Sequence, residues 1–579
     1  MSAGEIERHE HDVLVIGAGG AGLRAAIQAA SQGASTALVC KSLLGKAHTV
    51  MAEGGIAAAF GHMEGEDDWR THFQDTLFGG KYLNNWRMAE LHATEAPERV
   101  HELETWGGVF DRLPDRRLSQ RAFGGHTHRR LVHIGDRTGL ELIRTLQDKV
   151  VHQDVEVFME HTVTTLLKEG DRVCGAFGYR RATGEFVVFA ARAVILATGG
   201  FGKGWRITSN SWEYTGDGHA LGYEAGAELV DMEFVQFHPT GMVAPAGVVG
   251  LLVTEAVRGE GGLLRNSTGE RFMERYDAKR MELSTRDVVA RAIYTEVREG
   301  RGSPHGGVFL DVSHLPPETV RKKLPSMYDQ FLELAGVDIT KAPMEVGPTC
   351  HYAMGGISVD AETAQSRVPG LFACGECSGG MHGANRLGGN SLSDLLVFGR
   401  RAGAGAAAHA AAAAAPRIDE AQVAAAAQES LAFFEPDESA EDPYELHADL
   451  QELMQARVGI FRVRDDLKSA LDGLDDLKRR AANVRVPAGG RAFNPSFDLC
   501  HEIRHLLVCT EAVTRAALRR EESRGAHSRI DFPDYDPYWG EHNLVVSLAP
   551  DGMAVEPRPV VKSEALEALV EERKERERR

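Results

Sequence analysis

The chain is short of the features that mark secreted, membrane-spanning or nucleic-acid-binding proteins. It has seven cysteines in 579 residues: Cys40, Cys174, Cys350, Cys374, Cys377, Cys500 and Cys509. So sparse and odd a set does not make a disulfide framework. No run of about 20 apolar residues, the length a bilayer-crossing helix needs, is present. The N-terminal MSAGEIERHEHD has no apolar signal core. Positive charge is in deficit, 65 Lys and Arg against 84 Asp and Glu, for a net −19. A protein that tracks phosphate backbones presents a basic surface, so nucleic acid is a poor partner, although a local basic pocket for an anion remains open. No C-x-x-C-H occurs, so no c-type haem is attached to this chain. The one C-x-x-C pair, Cys374 and Cys377, is too few for a four-cysteine cluster and reads as packed thiols. Together these absences predict an intracellular, reducing setting, with any membrane contact made through a partner.

Glycine, by contrast, is abundant, at 63 residues. It suits a fold with many tight turns and close backbone approaches to a ligand. Residues 12–16, DVLVI, form an apolar run that enters GAGGAG. The amphipathic LRAAIQAASQG follows and stops at Gly33, a candidate C′ glycine, and ASTALVCK reads as a second strand. Gly17, Gly19 and Gly22 therefore sit in G-x-G-x-x-G with a strand before and a helix after, the context that makes this motif specific. RAVILATGG and GLFACGECSGG repeat the strand-to-glycine pattern far downstream. Such spacing predicts one nucleotide-binding domain interrupted by an insertion at about 246–345. The alanine-rich RAGAGAAAHAAAAAAP predicts a helix ending near Pro416, without chemistry. Helical patterning dominates beyond 425, and the final EALEALVEERKERERR reads as a charged helix or frayed tail with a solvated face.

A turn of this type holds the pyrophosphate of NAD or FAD against a helix N-terminus. The second strand ends in Cys40-Lys41-Ser42, with no acid for a ribose. That counts against NAD and leaves ribose contacts to Ser42 or backbone. Asp217 in TGDG and Glu376 in ACGECSGG stand beside glycines, where they either reach hydroxyls of an extended cofactor or serve the turns themselves.

A second constellation lies in glycine- and proline-punctuated segments read as loops. QFHPTG carries His238; LLVTEAVRGEGG carries Thr254, Glu255 and Arg258; STRDVVAR carries Arg286; TCHYAMGG carries His351; HGANRLGGNSL carries Arg386. Two histidines, a threonine and an arginine suit a small dianion, since guanidinium offers a planar fork matched to carboxylate.

With these motifs the sequence resembles the flavoprotein subunit of the succinate dehydrogenase/fumarate reductase family. GAGGAGLRAA, AHTVMAEGG, FGGHTHRR, TGDGHALGYEAGA, QFHPTG, TEAVRGEGG, RDVVAR, HYAMGGI, HGANRLGGNSLSDLLVFGRRAG and ESRGAHSRIDFPDYD run in family order from about residue 12 to 536. The resemblance implies an α/β fold: a Rossmann-like FAD-binding domain (1–245 and 346–424) interrupted by an α+β capping domain (246–345), then a helical C-terminal domain (425–545) and a tail (546–579). It implies that His48 is bonded to the flavin 8α carbon. His238, Thr254, His351 and Arg386 match the dicarboxylate clamp, Arg286 the proton-transfer residue, and Glu255 and Arg258 its relay. FAD contacts are implied at Gly17, Gly19, Gly20, Gly22, Lys41, Ser42, Thr49, Gly54, Gly55, Asp217, Glu376, Asn390, Ser391 and Leu392. No metal is implied in this chain. Ala47 stands where many relatives have serine, and Glu53 where others have glutamine.

The implied reaction is succinate oxidation to fumarate. The electrons leave to an iron–sulfur subunit on one or more membrane-anchor subunits that handle quinone, and the chain is peripheral at the cytoplasmic face of the plasma membrane. The reverse reaction, quinol:fumarate reduction, is the alternative. L-Aspartate oxidase, which typically lacks the linking histidine, and a non-catalytic scaffold are disfavoured by His48 and by the intact set of His238, Arg286, His351 and Arg386.

Overall fold

The run DVLVI is the buried inner end of strand Glu7–Ile16. In the computed structural model, which describes residues 6–437 and 439–578, this strand lies between two parallel neighbours, Thr36–Cys40 and Phe186–Leu196. The sheet continues to Val155–Met159 on one side and to the antiparallel Arg172–Arg180 and His161–Glu169 on the other. Leu371–Ala373 pairs in parallel with the end of Phe186–Leu196. All three strand-to-glycine turns expected from sequence thus belong to one sheet, although they are up to about 350 residues apart.

Local physics explains the first turn. Gly17 has φ +110, and a Cβ there would sit 2.3 Å from Ala197 O; a Cβ on Gly22 would sit 1.8 Å from Gly17 O. Only glycine permits this approach between strand, turn and helix. Helix Gly20–Ser31 follows, and Gly33 closes it at φ +83. The carboxyl ends of four parallel strands, at Ile16, Cys40, Leu196 and Ala373, open onto one edge, where ligands bind in folds of this kind.

A second, antiparallel sheet is ordered Val235–Met242, Met344–Ala353, Val308–Asp311, Leu263–Arg265. It has its own apolar core, with Leu264, Phe272, Ile293, Val308 and Leu310 among its buried side chains. Helix Arg286–Arg298 packs on it through Val289, Ala290, Ala292 and Ile293. One strand of this sheet precedes residue 246 and another runs past 345, so the limits expected for the insertion cut through a continuous sheet. The strand before residue 246 is committed to the second sheet by its pairing with Met344–Ala353. His238 and His351, read as loop residues, are therefore strand residues. They lie on neighbouring strands whose pairing slips between Gln236 and Phe237 and between His238 and Gly241; such bulges re-aim side chains.

The alanine-rich segment is the second half of helix Asn390–Ala412. Helices Pro443–Arg457, Arg464–Ala481 and Pro495–Arg519 form the C-terminal helical part. Of the segment 546–579, expected as a tail, the described residues 546–578 are folded. Strands His542–Ala549 and Gly552–Pro559 form a hairpin that joins Leu229–Val230 and Gly356–Ile357 in a four-stranded sheet. Helix Glu567–Arg578 then docks on Trp69–Gly79. Its Val570 is buried, and Arg573 meets Asp75 at 3.1 Å. The charge pattern hid this contact because one arginine of the run is spent on a buried carboxylate. No described helix is long and apolar enough to cross a membrane. All seven cysteines are free and buried.

Candidate active site

One elongated cavity runs from the carboxyl edge of the first sheet to the second sheet; its empty volume is about 1600 Å³, part of it open to solvent. Gly17, Gly19, Gly20, Lys41, Ser42 and Asp217 line the nucleotide-like end. The N–H of Gly20, at the start of its helix, donates to Thr49 Oγ1 at 3.3 Å, which ties the His48 loop to the first turn. Lys41 Nζ sits 2.6 Å from Asp217 Oδ2 and 2.8 Å from Glu502 Oε1, and His505 Nδ1 is 2.9 Å from Asp217 Oδ1. Burial pushes the Asp217 carboxyl up, but Lys41 and His505 outweigh it and hold it below the usual carboxylate range. An ionised acceptor is thereby kept at the cavity wall.

His238, Thr254, Glu255, Arg286, His351 and Arg386 line the other end. Gln236 organises it. Its Oε1 accepts from Arg286 Nη1 at 3.2 Å and from Arg386 Nη2 at 3.1 Å, and its Nε2 donates to Asn385 Oδ1 and Arg386 O, both at 2.8 Å. Glu255 Oε2 accepts from Arg286 Nε at 2.7 Å and lies 3.6 Å from Arg258 Nη2; its Oε1 accepts from Gly124 N at 2.8 Å. An arginine–glutamate–arginine line thus leads from the cavity into the second sheet's core. Arg386 donates to Ser391 Oγ at 2.9 Å and lies 4.2 Å from the Tyr352 ring centre. Burial, helped by Arg286, lowers its guanidinium to about 10. The His238 and His351 rings are 5.1 Å apart. Burial, with the neighbouring cations, lowers both well below the ordinary imidazole range, so both are neutral at working pH. Ser209 Oγ sets the second ring through a 2.8 Å bond to Nδ1.

His48, Gly54, Gly55 and Glu376 join the two ends, with Leu392 and Ser391 from the start of helix Asn390–Ala412. Burial lowers the His48 imidazole to about 4. Glu53 lines the same stretch, and burial beside Asp136 raises its carboxyl well above the ordinary range. Three expected residues stand off the cavity. Gly22 lies beneath Gly17, and Arg258 lies behind Glu255. Asn390 is buried between His72 and Thr76, both at 3.0 Å.

Sequence reading missed Gln236, Ser209, Glu502 and His505. Gln236 precedes His238 by two residues in QFHPTG, a strand spacing that was visible once the segment was read as extended. Glu502 and His505 are an i,i+3 pair on one helix face, but nothing local said which loop they meet. Gln236→Leu should leave both arginines in place yet unaligned. A fall in kcat/KM of about tenfold to a hundredfold is expected from the lost bonds to charged groups, with bound cofactor unchanged; steady-state kinetics on a cofactor-normalised preparation would show it.

The wall fits FAD on its own evidence of shape and polarity: a glycine turn that a Cβ would fill, a helix N-terminus for a pyrophosphate, an ionised Asp217 for hydroxyls, and His48 Nδ1 and Arg386 Nε, which have no hydrogen-bond partner among the described residues. Comparison with known proteins agrees. Residues 12–392 match the FAD binding domain family, and 447–576 match the fumarate reductase flavoprotein C-term family. The chain is 48% identical over 536 residues to one chain of the fumarate reductase (CoM/CoB) of Methanothermobacter marburgensis, covering 92% of this chain and 97% of the relative. It is 38% identical to the succinate dehydrogenase flavoprotein subunit of Rickettsia bellii, over 93% of each chain. The structure of Mycobacterium smegmatis Sdh1, solved in complex with UQ1, superposes with TM-score 0.87 at 56% identity, covering 96% of this chain and 95% of that one. The chain therefore belongs to the succinate dehydrogenase/fumarate reductase flavoprotein family, and its cofactor is FAD.

Proposed function

We propose that this protein is the catalytic subunit of a succinate:quinone oxidoreductase, that it oxidises succinate to fumarate, and that His48 carries the FAD covalently. The observation behind this reading is the convergence of His238, Thr254, Arg286, His351 and Arg386 at one end of the cavity whose other end is built for a nucleotide. When bound, FAD supplies two-electron chemistry, accepting a hydride from a substrate carbon. Arg386 binds one carboxylate of the dianion as a fixed cation, held by Gln236 and Ser391. The neutral imidazoles of His238 and His351 and the Thr254 hydroxyl bind the carboxylate oxygens as hydrogen-bond donors, so orientation rather than added charge sets the substrate. Arg286 passes its Nε proton to Glu255, 2.7 Å away, as it takes the proton from the carbon next to the hydride donor, and Arg258 leads the proton off from Glu255. Phe123 and Leu252 add apolar wall to the same cavity.

The electrons then need an exit, and an iron–sulfur subunit on a membrane anchor at the cytoplasmic face of the plasma membrane is the proposed one. Its support is the family, together with a chain that offers a single C-x-x-C pair. A link through His48 would raise the ring's reduction potential, which a poor reductant such as succinate requires. His48→Ser is accordingly expected to abolish flavin fluorescence in a denaturing gel while FAD stays bound in the native protein. It should lower succinate:dye turnover by about tenfold or more, about 1.4 kcal/mol in the barrier. A parent band without fluorescence would sink the covalent reading.

Fumarate reduction is the second reading, favoured by the 48% identity to the Methanothermobacter fumarate reductase chain. Rates with an oxidising dye and succinate, set against rates with a reduced dye and fumarate, rank the two directions.

A further inference from the structure

Tyr214 has no part in the clamp or the relay, yet its ring packs edge-on against His48, with centroids 4.6 Å apart at 65°. Both side chains line the cavity. Tyr214 is held firmly. Its ring lies over Gly199, where a Cβ would stand 2.9 Å from Cζ and 3.2 Å from the phenol oxygen, so any other residue at 199 would displace the ring. Its backbone is fixed by Tyr214 N donating to Ser211 O and by Lys203 N donating to Tyr214 O, both at 3.2 Å. His48 has a backbone tied down through Thr49 but a ring with less to fix it. It opens a single turn of 3₁₀ helix, His48–Met51, and its Nδ1 has no hydrogen-bond partner among the described residues. Histidine rings in catalytic sites are usually aimed by a hydrogen bond on the nitrogen away from the chemistry. Here the rigid Tyr214 ring stands in that role, and the T-shaped packing sets the plane of the imidazole.

We propose that Tyr214 is a positioning residue that aims the His48 imidazole for attachment of the flavin; the proposal rests on the covalent reading above. Attachment joins one imidazole nitrogen to the 8α carbon. One C–H bond of the methyl group and the imidazole N–H bond break, and the ring system keeps the two electrons and takes up the two protons. The step therefore yields reduced, linked cofactor and balances without an outside oxidant. The imidazole, lowered to about 4 by burial, enters this step neutral.

The test uses the full-length protein and two readouts: covalent flavin as gel-band fluorescence after denaturation, and total FAD as absorbance of the native protein. In Tyr214→Ala the covalent fraction is expected to fall by about tenfold or more, as for other small misplacements of a reacting group, with total FAD near the parent level. Tyr214→Phe, which keeps the ring, should restore linkage. A Tyr214→Ala protein linked as fully as the parent overturns the proposal and leaves the covalent reading standing. Parallel loss of total FAD in Tyr214→Ala and in the bulkier Tyr214→Leu would assign the ring to cofactor binding and also overturn it. An unlinked parent overturns both.

Discussion

Arg286→Gln is expected to lower succinate oxidation by about a thousandfold, within the 10²–10⁴ that a positioned proton-transfer group supplies. The expectation follows from geometry. Arg286 is the first residue of helix Arg286–Arg298, donates through Nε to Glu255 and through Nη1 to Gln236, and lines the cavity. Arginine is a difficult base, because its ordinary pKa lies above about 12. Glu255 makes the role physically workable here, since it offers an immediate acceptor, 2.7 Å away, for the proton that Arg286 must shed. Glutamine removes the charge and the proton path together. The fold should survive, since Glu255 keeps Arg258 and the Gly124 N–H. Arg286→Lys should also be severely impaired, because a compact ammonium cannot bridge Glu255 and Gln236 as a planar guanidinium does. The measurement is succinate:dye turnover per bound FAD, with dicarboxylate affinity followed separately by flavin absorbance. Near-normal turnover in either variant would remove Arg286 from the proton path.

Arg520→Leu is expected to cost about 3–5 kcal/mol of stability, the penalty for breaking a buried ion pair from one side. Arg520, Glu233 and Glu522 are all fully buried. Arg520 Nε donates to Glu233 Oε1 at 2.6 Å and Nη1 to Glu522 Oε1 at 3.0 Å; further bonds reach Trp539 O at 3.1 Å and His542 O at 3.0 Å. The guanidinium therefore ties the end of helix Pro495–Arg519 to the C-terminal hairpin and to the segment just before strand Val235–Met242. Leucine would leave the buried Glu233 carboxylate without its ion-pair partner, whereas Glu522 retains Arg524 at 2.7 Å. The loss should appear as a lower denaturant midpoint and as early proteolysis of the C-terminal part. Adding Glu233→Gln should recover part of it. An unchanged midpoint in the single variant would show that water or rearrangement satisfies the freed carboxylate.

Much of the site was legible in residue order because it is built from local signals. A strand must enter Gly17 and a helix must leave it, whatever the rest of the chain does. The segment around His238 was misread as loop for an equally physical reason. Its proline and glycine are strong local breakers, but strand pairing with Met344–Ala353, which begins about a hundred residues later, overrides them.

Sequence by itself determined the nucleotide-binding turn, the cofactor class and the family, and named the residues proposed for the clamp and relay. Each depends on neighbours within a few positions or on a motif set in fixed order. Tertiary structure alone decided that Gln236 holds the two arginines, that Glu502 and His505 reach Lys41 and Asp217, that the final charged helix docks, and that Tyr214 faces His48. Those contacts join residues tens to hundreds of positions apart. Their partners are chosen by burial, since a buried charge or polar group must find a complement, and sequence order does not say which surfaces will be buried together.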